Sequence, residues 1–135
     1  MFRALLACIV LLSSPTFAQK NSAEYAKCAE AANTQLQMNE CAKAELDSSD
    51  AELNRVYQEL LQKRKNDPNA TAKTREAQRA WLKFRDAHMA EVFPAPNKRV
   101  EYGSMYPLLF ALEEASVTRQ RSARPVCSAS AKSGM

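Results

Sequence analysis

The chain has 135 residues, with 19 Lys and Arg, 15 Asp and Glu, one His and a formal net charge of +4. Its longest apolar run is far shorter than the roughly 20 residues that a membrane-spanning helix needs. Only two glycines argue against a turn-rich β-sandwich and against a glycine-rich phosphate loop. The charge is spread along the chain without a basic stripe, which argues against a nucleic-acid partner. These features favour one small domain.

The N-terminal residues 1–18 are typical of a removable export signal. Arg3 supplies the positive start, residues 4–12 are apolar, and small residues stand at −3 and −1 of a cut after Ala18. That cut leaves 117 residues with a net charge of +3, because only Arg3 is lost. A lipoprotein acylated on Cys8 is the less favoured alternative, since the apolar run continues past Cys8. We therefore expect a periplasmic or secreted protein without stable membrane insertion after signal removal.

Three cysteines remain after signal removal: Cys28, Cys41 and Cys127. An oxidising compartment favours one disulfide and leaves one thiol over. Unbroken helix would hold Cys28 and Cys41 roughly 20 Å apart, whereas a disulfide requires a Cα separation of about 4.4–6.8 Å. If these two pair, the chain must reverse near residues 31–34. Cys127 lies in a Ser/Ala/Lys segment and is interpreted as a free or intermolecular thiol.

The first half of the mature chain predicts two helices. Residues 22–32 are alanine-rich and suit a short helix, and residues 34–65 contain no Gly or Pro. Apolar residues at helical spacing predict a buried stripe on the second helix; they are Leu53, Val56, Tyr57, Leu60 and Leu61. Ser49 and Glu52 would fit a capping box that breaks this helix. One long helix is favoured, since no Gly or Pro enforces a stop.

A turn at residues 66–69 predicts the start of a third helix. Asp67 suits the N-cap and Pro68 the first helical position. This helix is expected to run to residue 92, where Pro94 and Pro96 end it. One stripe on it is predicted to form the core against the second helix; its members are Ala77, Trp81, Phe84 and His88.

The C-terminal third predicts a polar loop and a last helix. Residues 97–104 read as the loop, with Gly103 at a positive φ. Pro107 restarts a helix that stops at Pro125, and residues 125–135 are expected to be disordered. One face of this helix carries Leu108, Leu109, Leu112 and Ala115. No strand is predicted, so the expected fold class is all-α, a small antiparallel helical bundle.

Two stretches resemble a known family. The first is MNECA at residues 38–42, continued by DAELNRVY at residues 50–57, and the second is AQRAWLKFRDA at residues 77–87. Together they resemble the LprI-type lysozyme inhibitor family of exported bacterial proteins, over about residues 24–122. The motif positions are Asn39, Asn54, Tyr57, Gln78, Arg79, Trp81, Phe84, Arg85 and Asp86.

The resemblance implies a disulfide-bonded helical domain in the cell envelope, here residues 19–124. It implies that Cys28 pairs with Cys41. Members usually carry two further cysteines where Met89 and Glu113 stand, so the Cys28–Cys41 bond is expected to be the only intramolecular disulfide. The implied function is lysozyme inhibition by a binding protein. The alternative is a periplasmic structural or adaptor domain with another partner.

The motif residues are interpreted as structural rather than catalytic. Arg85 and Asp86 are expected to form polar contacts across the helical hairpin, with Asn39, Glu45, Asp50 or Asn54 as candidate partners. His88 and Glu91 cannot close a metal site, which needs three or four ligands. His88 is therefore expected to make an interhelical hydrogen bond. No nucleophile stands beside a base, so no enzyme activity, metal or cofactor is predicted.

The loop before the last helix is the candidate partner-binding segment, through Lys98, Arg99, Tyr102 and Tyr106. Tyrosines, a glycine and mixed charge suit a recognition loop, although an ordinary connector is the alternative. Lysozyme works through two carboxylates, which Lys98 or Arg99 would approach. A protein of net charge +3 gains no long-range steering towards a basic lysozyme.

Overall fold

The computed structural model describes residues 21–123. The predicted signal, Cys127 and the predicted C-terminal tail lie outside these residues. The elements, in chain order, are α1 (Ala23–Ala31), α2 (Gln35–Lys63), α3 (Pro68–Val92), α4 (Lys98–Tyr102), a 3₁₀ turn (Gly103–Met105) and α5 (Tyr106–Ala123). No strand occurs in residues 21–123, and the predicted all-α class is confirmed.

Side-chain caps fix where the first three helices begin. The Ser22 hydroxyl accepts a hydrogen bond from the backbone N–H of Tyr25 at the start of α1. Thr34 and Gln37 form a capping box at the start of α2. Asp67 caps α3, with Pro at its first position, as predicted. These caps satisfy N–H groups that have no partner within the helix.

Helix α2 is one unbroken helix of 29 residues. The Ser49 hydroxyl donates a 2.8 Å hydrogen bond to the carbonyl oxygen of Glu45, four residues earlier. It does not cap a new helix, so the favoured prediction of one long helix is confirmed.

The best-packed part of the molecule is the pair formed by α2 and α5. Its apolar centre combines Ala42 of α2 with Leu108 and Ala111 of α5, all buried. Ala115 is fully buried further along α5. Of the predicted α5 face, Leu109 is the exception, with 39% of its surface exposed.

Helix α1 is held against α2 by a disulfide and by a buried carboxylate. Cys28 and Cys41 are bonded, with Cα atoms 5.7 Å apart, and the chain reverses between the two helices as the pairing requires. The Glu45 carboxylate accepts hydrogen bonds from the backbone N–H (2.8 Å) and the hydroxyl of Ser22. It also pairs with Arg119 of α5 at 2.5 Å. One carboxylate thus joins α1, α2 and α5.

Helix α3 packs through only part of the predicted stripe, since His88 contacts Glu113 of α5 but half of the stripe is exposed. Ala77 and Phe84 are exposed, Phe84 to 55%, and Trp81 is only half-buried. The side facing the other helices carries Thr74, Gln78, Arg85 and Met89 instead. These inward-facing residues are rotated by about 80° around the axis of α3 from the predicted stripe.

Polar partners on neighbouring helices account for this rotation. The Arg64 guanidinium donates to the Thr74 hydroxyl at 2.7 Å. Arg85 pairs with Asp50 of α2 at 3.1 Å and with Glu114 of α5 at 3.3 Å. Hydrophobic periodicity alone contains no information about these pairs.

The segment predicted as a polar loop at residues 97–104 is largely helical. Asn97 caps α4 by accepting from the backbone N–H of Val100 at 3.2 Å. Gly103 then turns the chain with φ of 65°, as predicted for this glycine. The helix forms because its cap and its packing against α5 supply the stability that five residues alone lack.

Candidate functional site

The α4 segment is built on an aromatic cluster. Phe93, at the end of α3, contacts Tyr102, Tyr106 and Phe110, with ring centroids 5.4–5.9 Å apart. Tyr102 and Tyr106 stack on each other at 5.7 Å. Aromatic pairs at these distances attract beyond the burial of their area. The cluster therefore holds α4 and the 3₁₀ turn in a fixed position on α5.

Three of the four residues predicted to bind a partner also have structural contacts, and Tyr106 has them within the aromatic cluster. The Lys98 ammonium donates to the carbonyl oxygen of Phe93, which lies at the C-terminus of α3. The Tyr102 hydroxyl accepts a hydrogen bond from the backbone N–H of Ala95 at 3.3 Å. Tyr102 lies at the end of α4 rather than in a loop, and it is half-buried because its ring packs within the aromatic cluster.

The exposed residues of this segment include Arg99, Val100, Glu101, Ser104 and Met105. We call Arg99, Val100 and Met105 the α4 surface. Val100 is 79% exposed and Met105 is 50% exposed. Among the described residues, no carboxylate forms an ion pair with Arg99. The α4 surface thus combines two apolar side chains and one unpaired cation on a rigid base.

Two shallow grooves flank Tyr106 and Pro107 beside the α4 surface. One, of about 430 Å³, includes Arg99 in its lining, and the other, of about 420 Å³, extends towards Lys43 of α2. The motif residue Asn39 lines both, and its amide donates to the carbonyl oxygen of Ser104 at 3.3 Å. Asn39 therefore connects α2 with the 3₁₀ turn and fixes the floor between the grooves.

Five other motif residues line a separate groove of about 410 Å³ between α2 and α3. They are Asn54, Tyr57, Gln78, Arg79 and Arg85. Arg79 and Asn54 are exposed, whereas Tyr57 and Gln78 are half-buried between the two helices. Asp86, next along α3, is exposed and does not face this groove.

Arg85 is the centre of the polar contacts that hold α3. Its guanidinium pairs with Asp50 and Glu114 and lies over the Trp81 ring, 5.3 Å from the ring centroid. Asp50 is one of the four candidate partners predicted for Arg85 or Asp86, and Glu114 is a second partner that the sequence pattern did not indicate. Burial raises the pKa of the Glu114 carboxyl above its ordinary value of 4.5, and the charge of Arg85 opposes this shift.

His88 makes the interhelical contact predicted for it. Its Nε2 lies 2.8 Å from a carboxylate oxygen of Glu113 on α5. Within residues 21–123, no group of three or more His, Cys, Asp or Glu side chains is placed to hold a metal ion. In the same range, no helix has the length and apolar character to cross a membrane.

Glu45, a candidate partner of Arg85 or Asp86 in the sequence analysis, pairs with Arg119 instead, and its side chain is almost fully buried. The four-residue spacing of Glu45 with other residues of α2 indicated its burial. Cys41, Glu45, Ser49 and Leu53 recur every four residues, and all four are buried on one side of α2. An acidic residue in such a stripe needs a cationic partner, and Arg119 is the partner.

The comparisons with known proteins place the chain in a family. The family model for lysozyme inhibitor LprI matches residues 26–124. The chain belongs to the LprI lysozyme inhibitor family. Searches of curated proteins and of solved structures gave no significant match. The matched residues span all of α2, α3, α4 and α5. The LprI-type domain therefore includes the three grooves described above and the α4 surface.

Proposed function

We propose that this protein inhibits a lysozyme outside the bacterial cytoplasm, and that the α4 surface contacts the enzyme. The observation that carries the proposal is the LprI family match over residues 26–124. The disulfide between Cys28 and Cys41 fits an oxidising compartment. The N-terminal sequence supports export by a removable signal.

The α4 surface has the chemistry that a lysozyme cleft requires. Lysozymes act through two carboxylates on either side of the scissile bond. Arg99 offers these acids a guanidinium that makes no ion pair in the described residues. Val100 and Met105 add apolar area beside it. The aromatic cluster beneath keeps the segment ordered before binding, which lowers the entropy cost of association.

Charge does not assist the encounter with a basic lysozyme. The mature chain has a net charge of +3 if it is cut after Ala18. Like net charges slow long-range approach, so the association rate is expected to rise rather than fall with added salt. Affinity then depends on local contacts of the α4 surface.

A turbidity assay tests the function. The purified mature protein is mixed with lysozymes of several structural types and with susceptible cells, and the rate of lysis is followed. Inhibition of at least one type, saturating near equimolar ratio, is the expected result. Unchanged lysis at a large molar excess across all types would contradict the proposal and favour the adaptor function.

Variants then test the surface. Arg99→Glu and Val100→Asp are each expected to weaken inhibition by roughly tenfold or more, as loss of a central contact does. Arg79→Glu, in the groove between α2 and α3, is the matched control and is expected to inhibit like the parent. Loss of inhibition in Arg79→Glu with retention in Arg99→Glu would indicate that the lysozyme contacts the groove between α2 and α3 instead of the α4 surface.

A further inference from the structure

One face of α3 is exposed and repeats at coiled-coil spacing. Its residues, which we call the outer face, are Lys73, Ala77, Ala80, Phe84, Ala87 and Glu91. The intervals between them alternate between four and three residues, which is the heptad spacing of helices that pack against another helix. All six are exposed, and Phe84 alone leaves 55% of its surface uncovered.

The outer face is not needed for packing within the described domain. The side of α3 that faces α2 and α5 is formed by Thr74, Gln78, Arg85 and Met89. A helix with a polar buried side and an exposed face bearing a large aromatic ring reverses the usual amphipathic arrangement. The arrangement points to a helical partner for the outer face.

The sequence of the outer face is complementary to itself when two copies run antiparallel. A two-fold axis beside Leu82 places Lys73 opposite Glu91 of a second copy. It places Ala77 opposite Ala87 of the second copy, and Ala80 opposite Phe84. By symmetry each contact occurs twice, as in any isologous interface. We propose that the protein forms an antiparallel homodimer through the outer face of α3.

Size and charge both favour this arrangement over a parallel one. Antiparallel pairing places each Phe84 ring over the methyl group of Ala80, so that the one large side chain of the outer face meets a small one. Opposite charges meet at both ends. Parallel pairing would set Lys73 against Lys73, which repels, and would place the two Phe84 rings in the same layer.

Lys73 already pairs with Glu76 at 2.9 Å within α3. Both side chains are more than half exposed, so this pair is weak and does not prevent a second acidic neighbour. In the dimer the Lys73 ammonium would lie between Glu76 of its own chain and Glu91 of the second copy.

The proposed interface is small. Nineteen residues of helix extend about 27 Å, and one such face covers less than the roughly 800 Å² per partner of a standard interface. The expected dissociation constant is therefore on the order of 10–100 µM. The two α4 surfaces would lie at opposite ends, about 30 Å apart along the helix axis, so that each copy binds its own partner.

Sedimentation velocity over a concentration series tests the dimer. All proteins carry Cys127→Ser, so that no intermolecular disulfide contributes. The parent is expected to shift from monomer to dimer between roughly 5 and 500 µM, and Phe84→Asp is expected to stay monomeric. Arg79→Glu, outside the outer face, is the control and should dimerise like the parent. Circular dichroism confirms that each variant is folded.

A charge swap tests the antiparallel register. Lys73→Glu and Glu91→Lys are each expected to weaken the dimer about tenfold, because each creates two like-charge contacts. The double variant Lys73→Glu/Glu91→Lys restores the opposite charges and should recover dimerisation to within about twofold. A parent that stays monomeric throughout, a dimer unaffected by Phe84→Asp, or a double variant as weak as the single ones would each overturn the proposal.

Discussion

The unit formed by α1, α2 and α5 and the helix α3 are held in place by different forces. The first has a disulfide, an apolar centre and a buried carboxylate that joins all three of its helices. The second contacts the rest through the polar contacts of Arg64, Arg85 and His88 and, at its C-terminal end, through the buried side chains of Met89 and Phe93. Apolar burial and buried ion pairs resist opening more than exposed polar contacts do.

This difference shows that an apolar stripe on a helix does not identify the side facing the core. On α5, Leu108 and Ala115 of the predicted face are buried. On α3, Phe84 of the predicted face is exposed, and a line containing Arg85 is turned inwards. Arg85 and His88 pair with carboxylates on α2 and α5, and these pairs set the rotation of α3 about its axis. With this rotation, apolar area of α3 stays exposed.

The largest effect is expected from removing the buried carboxylate of the first unit. Glu45→Ala leaves Arg119 and the start of α1 without their acceptor, and should lower the free energy of unfolding by about 3–4 kcal/mol. Urea denaturation measures this change in the free energy of unfolding. Asp47→Ala is the control, because Asp47 forms an exposed pair with Lys43 and should change stability by less than about 0.5 kcal/mol. Equal effects of the two variants would refute the distinction.

A second pair of variants compares apolar residues of the two regions. Leu108→Ala, in the centre between α2 and α5, should cost about 3 kcal/mol of unfolding free energy. Phe84→Ala, on the outer face of α3, should cost less than about 0.5 kcal/mol at a protein concentration too low for dimerisation. Thermal or urea unfolding at low micromolar concentration measures both. A larger loss of unfolding free energy for Phe84→Ala than for Leu108→Ala would show that Phe84 belongs to the core.

The smallest effect concerns the pH dependence of the contact between α3 and α5. Because the pKa of Glu114 is raised in the folded protein, Glu114 takes up a proton there before it does in the unfolded chain. Its contribution to stability therefore rises as the pH falls through the folded pKa and levels off below the unfolded value. Glu114→Gln, compared with the parent, should be relatively more stable at pH 7 than at pH 4.5. A pH-independent difference in unfolding free energy would show that burial of Glu114 has no such role.

Much of the fold could be predicted from the sequence because its determinants are local. Asp67 and Pro68 indicate where α3 starts, and the absence of Gly and Pro after Thr34 indicates that α2 is continuous. The chain reverses between α1 and α2, where the sequence predicts that a Cys28–Cys41 bond requires it to. Each of these follows from the chemistry of one or two residues and their backbone.

The remaining features depend on contacts between distant residues. Arg119 of α5 pairs with Glu45, which lies 74 residues earlier in the chain. Residues 97–104 contain too few residues for helical periodicity, and α4 forms because Tyr102 joins the aromatic cluster around Phe93. The role of the α4 surface in binding stays a prediction.

Native-state hydrogen exchange tests the comparison between the two regions most directly, because it measures the opening free energy of each helix within one protein. We expect the slowest exchange for backbone amides of α5 and of the α2 segment around Ala42 and Glu45, which should open only with global unfolding. Amides in the N-terminal half of α3 should exchange through local opening, at least about 1–2 kcal/mol more readily. Protection of α3 equal to that of α5, at a concentration where the protein is monomeric, would contradict the account.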